Sequence, residues 1–238
     1  MTEAIRLSKR LATLLPCSRS EAEQYIEGGW VRVDGRVVEE PQFRVTHERI
    51  ELDPHATLQA PLPVTLLLHK PAGQASPEQL LSATSHWPAD PSPLRVLQRH
   101  FKQLTEALPL EHAASGLLVY SQDWRIVRKL TEDAQLVEVE LMVEVRGEIA
   151  PETLQALQRV PPGDAAPGRQ IKASLNSSRD GRSKLRLAVK GWRAGLIAEL
   201  CERADLQILG LQRLRIGRVG LAQLPPGQWR YLLAHERF

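Results

Sequence analysis

The chain has 238 residues, enough for one small domain and one of ordinary size. Its 42% apolar and 25% charged residues suit a packed core, residues 64–68 are too short an apolar run to cross a bilayer, no apolar leader core opens the chain, and two isolated cysteines exclude a disulfide framework or a cysteine metal set. Net charge is only +3, but residues 168–238 carry fourteen Lys/Arg against five Asp/Glu, an asymmetry that favours a polyanionic partner over a plain solvated face.

Ile5, Leu7, Leu11, Leu14 and Leu15 recur at helical spacing, so residues 4–15 are expected as a helix with one apolar face, ended by Pro16. Ser18 and Glu21 have capping-box spacing and open a second helix that stops at Gly28-Gly29. Val31 and Val33, then Asp34-Gly35, then Val37-Val38 predict a short hairpin, with a further strand near Phe43–Leu52. Residues 54–63, with three prolines, predict a linker.

Beyond the linker, residues 64–69 predict a buried strand, 74–93 a surface loop, 94–103 a helix, 116–120 a strand and 124–131 a helix. Residues 137–145 alternate, with Val137, Val139, Leu141, Val143 and Val145 on one face and Glu138, Glu140 and Glu144 on the other, which predicts a long strand with one wet face. Pro151 opens a helix to about residue 158. Strands are expected over 169–175, 183–190, 206–219 and 228–232, with a helix over 194–204. The fold class expected is α+β with a largely antiparallel sheet.

Arg6, Lys9, Arg10 and Thr13 fall opposite the leucine stripe of the first helix. Arg19 lies in the first turn of the second, where free amides and the helix dipole attract phosphate, and Arg32 and Arg36 flank the hairpin turn. Such a layout offers several cations to a phosphodiester backbone, reading shape rather than sequence. The string Arg6-Leu7, Lys9-Arg10-Leu11, Cys17-Ser18-Arg19-Ser20-Glu21-Ala22, Ile26, Gly29, Val31, Val33-Asp34-Gly35 closely resembles the alpha-L RNA-binding domain, the S-four type. The resemblance covers about the first 48 residues and implies docking on folded RNA, often ribosomal, with Ser18 among the contacts.

The rest of the chain resembles the RsuA-like rRNA pseudouridine synthases. Leu68-His69-Lys70-Pro71-Ala72-Gly73 is similar to their L-N-K-P-x-G, residues 115–121 to the strand after their catalytic aspartate, and Gly227-Gln228-Trp229-Arg230 to their closing G-x-W-R. In that family an aspartate attacks a flipped-out uridine, a tyrosine lines the pocket, a basic residue pairs with the aspartate, and no metal or cofactor takes part. Carried over, the nucleophile position holds Glu111, the arginine before it Pro109, the tyrosine Leu141, and the arginine-rich segment residues 194–201, which contain no cation. Glu111 sets its carboxylate one methylene further out, and misplacement of about 1 Å can cost on the order of a hundredfold. The three losses together argue against the family's chemistry.

The expected plan is therefore an alpha-L RNA-binding domain over 1–53, a linker over 54–63 and a synthase-like domain over 64–238. It describes a monomeric cytoplasmic protein that binds structured, ribosomal RNA without metal, cofactor or membrane. Lys184, Arg186 and Lys190 on one strand face, with Arg213 and Arg215 and with Arg169, Lys172, Arg179 and Arg182 nearby, extend the expected phosphate track, and Lys70 is the one charge kept near the old pocket. The alternatives are a synthase that uses Glu111 and a protein-interaction scaffold. His112 and Ser115 are expected to be structural, Cys17 and Cys201 to be buried thiols, and Gly163–Gly168 is not a phosphate loop because no Lys-Ser/Thr follows it.

Overall fold

The computed structural model describes residues 4–58, 62–160 and 170–238. It divides the chain into two compact units, residues 1–63 with 94–103 and residues 64–93 with 104–238. Part of the expected linker, the Gly163–Gly168 segment and Arg169 lie outside the described residues.

The first unit begins with β1 (Ile5–Arg6) and α1 (Leu7–Leu14). Leu7 and Leu11 are buried against Ala22 and Ile26 of α2 (Arg19–Glu27), with Val31, Val33 and Val45 completing a small core. Pro16 closes α1 because it leaves the residue before it extended, and Leu15 has φ −109° and ψ 146°. The capping box is formed: the Glu21 amide donates to Ser18 Oγ at 3.2 Å, and the Ser18 amide donates to Glu21 Oε2 at 2.7 Å. The hairpin of β2 (Val31–Val33) and β3 (Arg36–Val37) turns on Asp34 and Gly35, both left-handed at φ +47° and +78°, as a two-residue hairpin turn requires. The single strand expected near Phe43–Leu52 is two strands. β4 (Arg44–Val45) pairs with β1, and β5 (Ile50–Leu52) pairs with β2.

Residues 94–103 differ from expectation. Only Gln98–Phe101 forms a short helical turn, and the segment belongs to the first unit rather than the second. Ten residues after Pro93 make a marginal helix, and here tertiary contacts take over. The Arg95 guanidinium donates to the Gly29 carbonyl at 2.8 Å and stacks over Trp30 at 5.0 Å, and the Gln98 amide donates to Glu39 at 2.6 Å.

The second unit is built on one nine-stranded sheet. Its strands are β6 (Thr65–Lys70), β7 (Thr105–Ala107), β8 (Ser115–Ser121), β9 (Glu138–Arg146), β10 (Gln170–Arg179), β11 (Arg182–Lys190), β12 (Ile208–Ile216), β13 (Val219–Gly220) and β14 (Trp229–Tyr231). The order is β10-β11-β9-β12-β8-β6-β14, with β7 on β8 and β13 on β12, and among the described strands only β12 and β8 pair in parallel. The helices are α3 (Trp124–Thr131), α4 (Pro151–Leu157) and α5 (Leu196–Arg203). The fold is α+β. Val139, Leu141, Val143 and Val145 of β9 enter the core with Leu185, Leu187 and Val189 of β11 and with Leu196, Ile197 and Leu200 of α5. Burying such side chains contributes about 1.5–3 kcal/mol each, so this face of the sheet dominates the stability of the unit.

The opposite face of β9 is paired rather than simply wet. Arg215 binds Glu138 at 2.6 Å and Glu140 at 2.9 Å, and Arg186 also binds Glu140. The acidic stripe is thus half of a cross-strand ion ladder.

Candidate functional site

In the first unit Arg6, Lys9, Arg10, Arg19, Arg32 and Arg36 are all exposed. Arg6 ends β1 at the N-cap of α1, so Arg6, Lys9 and Arg10 share the solvent side opposite Leu7 and Leu11. Arg19 pairs with Glu23 at 3.2 Å while its side chain stays 57% exposed, which leaves the cation open to a competing phosphate. The Arg32 guanidinium donates to the Gly35 carbonyl at 3.1 Å and stiffens the hairpin turn. Ser18 accepts the Glu21 amide, so its hydroxyl serves the helix cap first.

In the second unit the loop after Leu108 brings Glu111 to the N-terminal end of α5. Glu111 Oε1 accepts the Gly195 amide at 3.1 Å, and Oε2 is buried with no hydrogen-bond partner among the described residues. Lys70, expected as an RNA contact, is instead enclosed, with 2% exposure. Its ammonium donates to the carbonyls of Ala114 at 2.7 Å, His112 at 2.9 Å and Glu111 at 3.2 Å, and so shapes the loop that carries Glu111. β6 is buried on both faces, so a cation at its end meets carbonyls instead of water. Burial lowers the Lys70 pKa, with Glu106 and Glu111 opposing and Arg213 adding to the effect.

Arg213, expected on a solvated face with Arg215, is fully buried. The register between β12 and β9 shifts between Arg213 and Arg215. That irregularity breaks the two-residue alternation, so Arg213 lies opposite Leu141 on the core face and Arg215 reaches Glu138 and Glu140 on the other. Arg213 Nε donates to the Leu117 carbonyl at 2.7 Å and Nη1 to the Pro109 carbonyl at 3.3 Å, while Nη2 is buried without a hydrogen-bond partner among the described residues. Burial lowers the proton affinity of the guanidinium, and the carboxylates of Glu111 and Glu106 counter it. Glu106 also accepts the Tyr120 hydroxyl at 3.0 Å.

Glu111 therefore sits in a cluster of two buried cations, Lys70 and Arg213, and two half-buried carboxylates, Glu111 and Glu106. Arg213 brings a cation to this cluster from another element, which sequence reasoning missed because a register shift leaves no mark in composition or spacing. Leu141 is 0% exposed and packs within the core. It closes this side with aliphatic surface and offers no ring for a base to stack on. Among the described residues no group of three His, Cys, Asp or Glu side chains is arranged to hold a metal ion, and no helix is long and apolar enough to cross a membrane. Cys201 is buried, and Cys17 is partly so.

On the outer sheet face Lys184 is exposed and lies in register with Glu144, while Arg186 is bonded to Glu140. Of these two expected RNA contacts, Lys184 faces solvent without a carboxylate bond among the described residues, and Arg186 keeps 55% side-chain exposure beside its partner.

Residues 5–50 match the family model of the S4 domain. Over 98% of the chain, the sequence is 30% identical to an uncharacterized RNA pseudouridine synthase of Aquifex aeolicus, covering 94% of that protein. It is 31% identical, again over 98% of the chain, to the ribosomal small subunit pseudouridine synthase A of Pseudomonas aeruginosa, covering 98% of it. A crystal structure of a pseudouridylate synthase matches the fold with a TM-score of 0.55 and 20% identity over 96% of both chains.

Proposed function

Since the chain belongs to the RNA pseudouridine synthase family, of RsuA type, we propose that it binds structured RNA, ribosomal RNA above all, without isomerising uridine. The observation that carries this reading is Leu141: at the position of the pocket tyrosine it is a fully buried aliphatic side chain in the core. A flipped base finds no aromatic wall there. Glu111, at the nucleophile position, has one oxygen on the Gly195 amide and sits on a loop held by Lys70. In this reading residues 1–53 are the RNA-gripping domain, 54–63 the linker and 64–238 a synthase-like body. The protein acts as a cytoplasmic monomer without metal or cofactor. Arg6, Lys9, Arg10 and Arg19 supply the phosphate contacts, and the exposure of all four supports that assignment.

One observation favours a second reading. The charges of the buried Arg213 guanidinium and of Glu111 interact, and Arg213 also holds the Pro109 carbonyl at 3.3 Å at the base of the loop that carries Glu111, the kind of cation an active synthase pairs with its nucleophile.

The test is pseudouridine mapping of ribosomal RNA by carbodiimide labelling, in strains lacking the protein, expressing it, or expressing Glu111→Ala. RNA binding with no added pseudouridine supports the first reading. A pseudouridine that appears with the wild-type chain and vanishes with Glu111→Ala overturns it and establishes the second. RNA affinity left unchanged when Arg6, Lys9 and Arg19 are replaced together by Ala points to a protein-interaction scaffold instead.

A further inference from the structure

We propose that the free end of the β10–β11 hairpin is a second RNA-backbone site, built on a row of three arginines, Arg179, Arg182 and Arg146. The proposal rests on the reading that the chain binds RNA and adds where, beyond the first unit, the phosphates are held.

The row follows from register. Arg179 lies opposite Arg182 across the hairpin, and Arg182 lies opposite Arg146 on β9. All three are exposed, and directly opposed residues share a face with Cβ atoms about 4.5–5.5 Å apart. Three like charges in one cross-strand row repel one another, a cost that a purely structural sheet avoids. Lower on the same face the sheet does avoid it. Glu138 and Glu140 are held by Arg215 and Arg186. At the hairpin end the only carboxylate bonded to the row among the described residues is Glu144, at a long 3.5 Å from Arg182. With Lys184 in the next row, four cations line the two clefts at the hairpin end beside Glu144 and Asp180.

The shape agrees with the charge. An open cleft of about 790 Å³ lies along the row, lined by Arg179, Arg182 and Lys184, by Ser177 and Ser178, and by the two carboxylates Glu144 and Asp180. A smaller one of about 230 Å³ on the other side of Arg182 includes Arg146. Two guanidinium forks, an ammonium and the Ser177 hydroxyl suit phosphate and ribose oxygens, while the Ser178 hydroxyl is bonded to Ser183. No aromatic side chain lines either cleft, so bases are not read there. Three strands spaced about 4.8 Å apart give a row about 10 Å long, enough to meet more than one phosphate of a strand whose charges recur about every 3.4 Å of axis. The turn Asp180-Gly181, left-handed at both residues with φ +54° and +69°, closes the hairpin in two residues and so sets Arg179 directly opposite Arg182.

The experiment uses the full chain and a fluorescein-labelled RNA stem-loop, with affinity measured by anisotropy across a KCl series. Replacing Arg146, Arg179 and Arg182 together by Ala is expected to weaken binding at least about tenfold and to flatten the log–log salt dependence by about 2 to 3. The melting temperature should stay level or rise, because repulsion is relieved; a fall would mark the arginines as structural and count against the site. Should the triple variant not fold, Glu144→Gln carries the test: removing the carboxylate that competes with phosphate should tighten binding by about threefold, through one added unit of local positive charge. If wild type binds the RNA but neither variant changes affinity or salt slope, the hairpin site is overturned while RNA binding stands. If wild type itself does not bind, the underlying RNA-binding reading fails first.

Discussion

Lys70→Met separates a phosphate contact from a structural cation. The Lys70 ammonium has three N–H groups, and its closest acceptors are the carbonyls of Ala114, His112 and Glu111 at 2.7, 2.9 and 3.2 Å. Met keeps the stem volume and removes all three bonds. A buried carbonyl left without a donor costs about 1–3 kcal/mol. His112 is exposed, so its carbonyl regains water readily, and removal of a desolvated charge returns part of the loss. The net expectation is a loss of about 2–4 kcal/mol. For a unit of this size each kcal/mol moves the midpoint by about 2–4 °C, so thermal unfolding followed by circular dichroism should shift down by roughly 5–15 °C. RNA affinity measured well below that midpoint should stay within about threefold of wild type, because no Lys70–phosphate bond exists to lose. An unchanged midpoint together with a tenfold loss of RNA affinity would refute the reasoning and return Lys70 to the phosphate track.

His100, 3% exposed, has its pKa lowered to about 4 by burial and by the neighbouring Arg99 charge. The unfolded chain therefore binds a proton that the folded chain refuses, and stability present above about pH 6.5 should fall by on the order of 3 kcal/mol as pH drops toward 4; urea unfolding across pH should show this step, and a step of equal size in His100→Gln would exclude it. Gly116 has φ +112°, and an added Cβ would overlap the backbone of Arg213 on the neighbouring parallel strand. Gly116→Ala should abolish soluble, cooperatively unfolding protein, whereas Gly73→Ala, left-handed at φ +75° but open around the added methyl, should cost only about 1 kcal/mol by the same melting assay.

Local features were legible where short-range chemistry dictates them. The box of Ser18 and Glu21, the stop at Pro16, the Asp34-Gly35 turn and the alternation of β9 each depend on residues within a turn or a strand of one another. The helix expected over 94–103 had no such support. Its contacts to Gly29, Trp30 and Glu39 come from residues some sixty positions away, and those long-range bonds outweigh a weak helical preference.

The sites divide along the same line. The exposed cations of α1 and α2 could be named from the sequence because helical geometry alone places them opposite a leucine stripe. The proposed assignment of Glu111 and Leu141 to the nucleophile and tyrosine positions likewise rests on motif order. What surrounds them does not. A one-residue register shift in β12 decided that Arg213 faces inward and Arg215 outward, and the double burial of β6 turned Lys70 from a surface cation into a loop clamp. The alignment of Arg146 with Arg179 and Arg182 depends on how β9 slides against the hairpin. Sequence by itself determines periodicity, caps and turns, since these act between near neighbours. Strand register is a contest among distant segments for the same core, and only the folded chain resolves which charges end in water and which beside each other.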